Sequence, residues 1–90
     1  MYTYTRRIRL SAYLWGSQGA SIDLTAPLLL SLYNDAAGEA VQIELESTGG
    51  LAPGATLQPG ECWSLSVEGL RGVKATCSSD TLVTCTLFPV

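Results

Sequence analysis

Apolar and polar residues alternate with a period of two along most of this chain, and this alternation limits its possible folds more than any other feature. In residues 41–46, Val, Ile and Leu alternate with Gln and Glu, and in residues 63–68, Trp, Leu and Val alternate with Ser and Glu. Successive side chains of a strand point to opposite faces of its sheet, so this spacing predicts strands with one buried and one wet side. No segment of helical length has a 3.6-residue period, and we therefore predict an all-β chain.

Turn-forming residues separate the alternating segments about every 8–12 positions, which is typical of a sandwich. We predict one small antiparallel β-sandwich over residues 1–90, with about seven to eight strands and of jelly-roll or immunoglobulin-like type, in which residues 1–7 form an arm or extend an edge strand. The expected strands are 2–15, 20–24, 28–33, 40–46, 55–57, 62–67, 72–77 and 82–88, with a loop at 47–54 and a type II turn at 58–61.

Two hairpins are expected from the turn signals. Residues 34–38, Asn-Asp-Ala-Ala-Gly, would join strands 28–33 and 40–46. Strands 72–77 and 82–88 would form a closing hairpin in which the numbers of facing residues add up to 160, because this register places every apolar residue on one side. Cys77 and Cys85 would then be diagonal neighbours about 7–8 Å apart, too far for an unstrained disulfide.

The three cysteines are expected to be reduced thiols, with Cys77 and Cys85 as small core residues and Cys62 unassigned. An odd count does not suit a disulfide framework, and the start Met-Tyr-Thr-Tyr-Thr does not read as a secretory leader. We therefore expect a protein made in a cytoplasm and not secreted. The apolar run near Leu28 is too short to cross a membrane.

The composition indicates contact with a partner. The chain is 47% hydrophobic and 14% charged, whereas about 25% charged is typical, and a domain of 90 residues cannot bury that much apolar surface. Arg6, Arg7 and Arg9 share the first fifteen residues with no acid, while all eight acids lie further on. A basic amino-terminal segment can bind an acidic neighbour such as a second copy, or it can protect an edge strand from aggregation. The net charge of −3 does not favour nucleic-acid binding.

The residues offer little chemistry. There is no histidine, Lys74 is the single lysine, and the cysteines lack the paired spacing of a zinc site, so we predict no enzyme, no metal and no cofactor. Aromatic residues leave glycan binding open. Tyr13 and Trp15 fall on the strand face opposite Ile8 and Leu14, where they would be exposed or covered by another subunit, unless Trp15 packs beneath the first turn.

Two stretches resemble a known class of protein. The run Leu-Gln-Pro-Gly-Glu-Cys-Trp-Ser-Leu at 57–65 and the run Gly-Leu-Arg-Gly-Val-Lys-Ala-Thr-Cys at 69–77, followed by an alternating strand to residue 88, resemble the carboxy-terminal half of small tailed-phage virion proteins. These are β-sandwich subunits of the capsid decoration (cement) or fibre-base type. The resemblance implies an architecture and a structural role, and it transfers no catalytic residues.

Together these observations predict a non-enzymatic virion structural protein that decorates or bridges capsid or coat subunits through strand edges and apolar contacts. Its expected partners are other coat proteins and itself, as a homo-oligomer with a trimer favoured, with no nucleic acid and no membrane. The alternatives are a glycan-binding or other ligand-binding module and a small protein-binding regulator. The residues predicted for the partner interface are Tyr2, Tyr4, Arg6, Arg7, Arg9, Tyr13 and Trp15.

Overall fold

The computed structural model describes residues 2–16, 26–47 and 49–89, and in these ranges it contains eight strands and no helix. Nothing in the described ranges is therefore a helix that could span a membrane. The predicted strand at 20–24 lies outside the described residues. The strands are β1 Tyr2–Ile8, β2 Ser11–Trp15, β3 Leu28–Asn34, β4 Val41–Ser47, β5 Gly50–Leu57, β6 Cys62–Val67, β7 Gly72–Cys77 and β8 Thr81–Pro89.

The strands form two four-stranded antiparallel sheets. Sheet A has the order β1-β8-β3-β6 and sheet B the order β2-β7-β4-β5. Four of the pairs are nested along the chain, since β1 pairs with β8, β2 with β7, β3 with β6 and β4 with β5. This is the winding of an eight-stranded jelly roll. The predicted small antiparallel β-sandwich is confirmed.

The core lies between the sheets and is supplied by alternate residues of both. Every second residue is buried along β3 and along β8 as far as Leu87, and the alternation is less regular on the facing strands β4 and β7 of sheet B. The buried hydrophobic residues include Leu28, Leu30, Leu32, Val41, Ile43, Val73, Ala75, Cys77, Val83, Cys85 and Leu87. The prediction that Cys77 and Cys85 are small core residues is therefore confirmed, with exposed fractions of 8% and 0%.

Both predicted hairpins are wrong. Strands β7 and β8 belong to different sheets, and so do β3 and β4, so their connections cross from one sheet to the other. Alternation identifies which side chains point into the core. It does not show whether two consecutive strands pair within one sheet or lie in opposite sheets, because their inward-facing residues alternate in the same way in both cases. The pairing of β1 with β8 and of β2 with β7 depends instead on contacts between distant parts of the chain.

The predicted strand 2–15 is two strands, because the chain turns at Leu10 and passes from sheet A to sheet B. Leu10 has a φ of 100°, a value that side-chain-bearing residues rarely adopt, and its side chain is 65% exposed instead of sharing the buried face of Ile8 and Leu14. Its carbonyl accepts a hydrogen bond from the Cys77 backbone N–H at 2.7 Å. The crossing is held by this bond despite the strained conformation.

The predicted loop 47–54 is also partly wrong, because β5 begins at Gly50. Pro53 is tolerated there because β5 is an edge strand, where a missing N–H breaks no ladder bond on the open side. Gly54 and Ala55 together oppose Ile43 in a bulge. A side chain at Gly54 would meet the Ile43 carbonyl at 2.8 Å and the Trp63 ring at 3.1 Å, so glycine is needed where the two sheets approach each other.

The predicted type II turn at 58–61 is borne out by its geometry. Gly60 has a φ of +84°, and the Glu61 N–H donates to the Gln58 carbonyl at 3.0 Å. The Glu61 carboxylate also accepts the Gln58 N–H at 2.6 Å. This turn carries the chain from β5 in sheet B to β6 in sheet A.

One buried polar side chain, Asn34, joins several segments at this end of the sandwich. Its Nδ2 donates to the carbonyls of Glu39 at 2.7 Å and Leu57 at 3.0 Å, and its Oδ1 accepts the hydroxyl of Thr81 at 2.9 Å. Its backbone bonds the 58–61 turn, accepting from the Gly60 N–H and donating to the Glu61 carbonyl. Because Asn34 is fully buried, each of these groups depends on the others for its hydrogen bonds.

Replacing Asn34 by alanine should lower the free energy of unfolding by about 3 kcal/mol, because two carbonyls and a hydroxyl lose their buried partner. Thr81→Val removes one of these bonds and should cost about 1–2 kcal/mol. Denaturant unfolding followed by circular dichroism measures both values. Equal costs for the two variants would show that Asn34 does not join the segments in this way.

Leu10→Gly should raise the free energy of unfolding by about 1 kcal/mol, since glycine adopts the positive φ without strain and the exposed leucine packs little. Leu51→Gly is the matched control, because Leu51 is also exposed but lies within β5, and there glycine should destabilise by about 1 kcal/mol. Thermal and denaturant unfolding compare the two. A loss of stability in Leu10→Gly would contradict the account of the crossing.

Candidate partner-binding surface

The outer face of sheet A is uncharged except at one corner. Arg7 is the single charged residue among its outward side chains in the described ranges, which are Thr3, Thr5, Arg7, Leu29, Ser31, Tyr33, Cys62, Ser64, Ser66, Leu82, Thr84, Thr86 and Phe88. The strand register aligns hydroxyl groups side by side, with Oγ–Oγ distances of 2.9 Å for Thr5 and Thr84, 3.1 Å for Ser31 and Ser64, and 3.5 Å for Thr3 and Thr86. We call this surface the hydroxyl face.

Large apolar and aromatic side chains interrupt the hydroxyl face. Leu29 and Phe88 are register partners on neighbouring strands and are each 38% exposed, and Tyr33 is 43% exposed. These side chains have no covering element within the described part of the chain. A flat surface of hydroxyl, aliphatic and aromatic groups without charge matches the core of a protein interface more closely than an ordinary wet surface.

The outer face of sheet B has the opposite character. Lys74, Glu44 and Glu46 lie on its central strands, and the Tyr13 hydroxyl donates to the Glu46 carboxylate at 2.5 Å. This hydrogen bond, with partial desolvation and the negative charges of Glu46 and Glu44, raises the pKa of Tyr13. The Lys74 ammonium lies 6.0 Å from the centre of the Tyr13 ring, at the limit of a cation–π contact. Sheet B is thus the solvated side of the sandwich.

The three predicted interface arginines lie at the β1 side of sheet A and contact neighbouring parts of the same chain. The Arg6 guanidinium donates to the Tyr13 carbonyl at 2.9 Å and thereby joins the edges of the two sheets. Arg7 and Arg9 both approach the Asp80 carboxylate, at 3.6 and 3.7 Å. The side chains of Arg7, Arg9 and Asp80 are well exposed, so their two ion pairs are weak and can be exchanged for others.

The predicted interface aromatics fall into two groups. Tyr2 is 51% exposed, whereas Tyr4 is partly buried and packs against Trp15, with ring centres 5.4 Å apart and ring planes tilted by 54°. Trp15 is 4% exposed because a bulge between Tyr13 and Trp15 turns the side chains of Leu14 and Trp15 inward together. Trp15 is therefore a core residue and is left out of the interface proposed below.

In the part of the chain that the structure describes, the two outer strands of sheet A have no further strand beside them, and these two edges differ in their protection. The β1 edge carries Arg6 and Arg7, which discourage unspecific strand pairing. The β6 edge has neither charge nor proline, and its six residues pair with β3 without a bulge. Sequence reasoning identified β6 as a strand but not as an open edge, because edge position depends on the sheet order. The lack of charge in β6 was the sequence feature that could have indicated this edge.

The cysteine thiols differ in chemistry. Burial raises the pKa of the Cys85 thiol to about 12, and the interaction of this thiol with the Trp15 indole offsets only part of that rise. That indole nitrogen is buried without a hydrogen bond of normal geometry. The Cys77 thiol donates to the Ser79 carbonyl at 2.7 Å, whereas Cys62 is exposed on the hydroxyl face. A buried neutral thiol is a poor nucleophile, so Cys62 is the thiol placed for reaction.

The remaining concavities are shallow. One of about 280 Å³ lies beside the β5 bulge and is lined by Gln42, Ile43, Glu44, Pro53, Gly54, Ala55 and Thr56. Another of about 320 Å³ lies at the end of β6, between Pro27 and Glu68. Their linings hold a hydroxyl and a carboxylate each, Thr56 with Glu44 in the first and Ser66 with Glu68 in the second, and neither lining contains a cysteine, lysine or arginine. No cluster of three metal-binding side chains occurs among the described residues.

Comparison of the chain with known proteins found a similar solved structure but no related family. No protein-family model matches the chain, and no curated protein matches it. A similar solved structure comes from "Bacillus endospore appendages form a novel family of disulfide-linked pili", with 12% identity and a TM-score of 0.48 over 98% of this chain and 88% of that chain. That neighbour is a pilus-like appendage protein, and at this level of similarity it carries no argument about this chain.

Thiol labelling tests the assignment of the cysteines. At pH 8 an aromatic disulfide reagent should react with one thiol per chain in the native protein and with three in guanidinium chloride, because Cys77 and Cys85 are buried. Cys62→Ser is the control and should leave no fast-reacting thiol in the native state. Fast labelling of two or more thiols in the native protein would contradict the burial described here.

Proposed function

We propose that this protein is a non-enzymatic structural subunit of a virion-like particle, which decorates or bridges coat subunits by laying the hydroxyl face against them. The observation that carries the proposal is the near absence of charge on one whole sheet face of a chain whose net charge is −3. Contact between two acidic proteins is least unfavourable at a surface that carries no acid, because like charges are then not brought together. The hydroxyl face is such a surface.

The size of the face suits a subunit that is present in many copies. Four strands about 4.8 Å apart and seven residues long give roughly 450 Å² per copy, about half of what one partner contributes to a standard stable interface. A single contact of this size is weak, whereas repeated contacts in a symmetric assembly add up through avidity. The resemblance of residues 57–88 to tailed-phage virion proteins supports the same class of function. We propose localisation in the particle, with coat proteins and further copies of this chain as partners.

A charge placed at the centre of the hydroxyl face tests the proposal. Thr86→Glu introduces a carboxylate on the middle of β8, and Thr76→Glu is the matched control, because Thr76 is similarly half-buried on a central strand but points outward from sheet B. Tagged copies are produced in the native source, and assemblies are separated on a density gradient. The unchanged protein and the Thr76→Glu variant should sediment with high-mass particles. The amount of the Thr86→Glu variant in the high-mass fraction should be at least tenfold lower.

The contrary outcomes are distinct. If the unchanged protein stays at the top of the gradient, it is not a particle subunit. If both glutamate variants sediment like the unchanged protein, the particle is bound through another surface. Circular dichroism of each variant separates a binding defect from a folding defect.

A glycan-binding module is the second candidate, and the observation that favours it is the exposed Tyr33 among hydroxyl groups. Aromatic rings and hydroxyls together are suited to the apolar and polar sides of a sugar. Tyrosine fluorescence titrated with a panel of oligosaccharides, with Tyr33→Ala as the control, tests this candidate. The third candidate, a small protein-binding regulator, would instead form a stoichiometric complex with one other protein and would not sediment with a particle.

A further inference from the structure

The two edges of sheet A are suited to pairing with each other between copies. Sheet A is antiparallel throughout, in the order β1-β8-β3-β6, so β1 and β6 run in opposite directions. A second copy in the same orientation therefore presents its β1 antiparallel to the β6 of the first. The joined sheet would continue the alternation of strand directions without a break.

The backbone groups on the open β6 edge follow from one hydrogen bond. The Asn34 N–H donates to the Glu61 carbonyl at 3.0 Å, and these residues continue the β3–β6 register. In an antiparallel pair the residues that bond the partner alternate with residues whose N–H and C=O point away from it. The groups that point to the open edge are therefore those of Cys62, Ser64 and Ser66.

The same alternation, carried across β8, assigns the open edge of β1. Along β3, residues that form backbone hydrogen bonds to β6 alternate with residues that form them to β8. Along β8, residues bonded to β3 alternate in the same way with residues bonded to β1. The remaining N–H and C=O groups of β1 belong to Thr3, Thr5 and Arg7. On both edges the residues with free backbone groups are those whose side chains lie on the hydroxyl face, so a paired edge would keep that face on one side.

Charge favours pairing of β1 with β6 over pairing of β6 with another β6. Glu61 and Glu68 flank β6, and an antiparallel pair of two β6 strands would set Glu61 of each copy beside Glu68 of the other. A β1 strand instead brings Arg7 and Arg9 toward Glu61. Both arginines are held by weak, exposed contacts to Asp80 and are able to exchange them.

We propose that β1 of one copy adds to the β6 edge of a second copy, with Thr3 opposite Ser66, Thr5 opposite Ser64 and Arg7 opposite Cys62. Each of these three residue pairs exchanges two backbone hydrogen bonds, which gives about six between copies. The interface is head-to-tail, so it closes into a ring or continues as a filament. This inference deepens the proposed structural role and rests on it, because it names the contact by which copies join each other.

The amino-terminal residues form a regular strand at the edge of sheet A. Residues 2–8 are not a free arm, since every one of them pairs with β8 and Ile8 is fully buried. Deleting residues 2–7 would therefore remove a strand from sheet A and would not leave the fold intact. The proposed contact uses the outer edge of β1 in place, without exchange of a strand between copies.

Cysteine cross-linking tests the register. Two variants are made in the Cys62→Ser background, one with Thr5→Cys and one with Ser64→Cys, and each is oxidised alone and after mixing. Directly opposed, hydrogen-bonded residues have Cα atoms about 5.5 Å apart, within the range of a disulfide. We expect a cross-linked dimer in the mixture at least tenfold above either variant alone, and rings or ladders when one chain carries both cysteines.

The outcomes separate this inference from the proposed function. A dimer formed by the Ser64→Cys variant alone would show pairing of β6 with β6 and overturn the proposal, as would the lack of any cross-link in the mixture. Thr3→Cys mixed with Ser64→Cys is the register control and should cross-link less. If the protein sediments with particles but the mixture does not cross-link, the structural role stands and the edge contact is wrong.

A second measurement does not depend on cysteine. Ser64→Pro removes an N–H that points to the open edge and leaves the β3–β6 bonds in place. Light scattering should show the unchanged protein as a species larger than a monomer that loosens in high salt, and Ser64→Pro as a monomer. Circular dichroism confirms that the variant is folded. An unchanged mass in a folded Ser64→Pro would overturn the proposal.

Discussion

The arrangement of the sandwich depends on the buried amide of Asn34, because this one residue holds three of the places where the chain leaves one sheet for the other. Its bonds reach the β3–β4 connection, the end of β5 and the start of β8, and its backbone holds the 58–61 turn. Only β5 among these segments pairs with its sequence neighbour, β4, whereas β3 and β8 pair with strands that are distant in the chain. The apolar core supplies burial, but burial is not directional, whereas the amide accepts only one arrangement of partners.

The two outer faces follow from this arrangement and have different chemistry. The central strands of sheet B carry charges outward, while those of sheet A carry Ser, Thr, Leu and Phe. Because the winding is nested, β1 with its arginines and β6 without charge become the two edges of the same sheet. The hydroxyl face and the two edges suited to contact therefore all belong to sheet A, and the solvated face of sheet B lies on the opposite side of the molecule.

The sequence was sufficient for the class of fold and for most strands and inward-facing residues, because these depend on a period of two that is local. It was insufficient for pairing: β7 and β8 share an inward side, as a hairpin would, yet they lie in opposite sheets. The burial of Trp15 escaped prediction because one bulged residue reverses the alternation. Arg6, Arg7 and Arg9 were identified as residues for a contact, but the uncharged β6 edge was recognised only from the sheet order.

The nested winding also has a consequence for how the chain reaches its native state. β1 pairs with β8 and β2 pairs with β7, so these two ladders join residues that are 58 or more positions apart. During synthesis β1 has no intramolecular partner until β8 has left the ribosome. Topologies dominated by such distant contacts fold slowly, and their unpaired strands are open to wrong association in the meantime. The arginines of β1 are therefore also placed to keep this strand soluble until its partner β8 has been made.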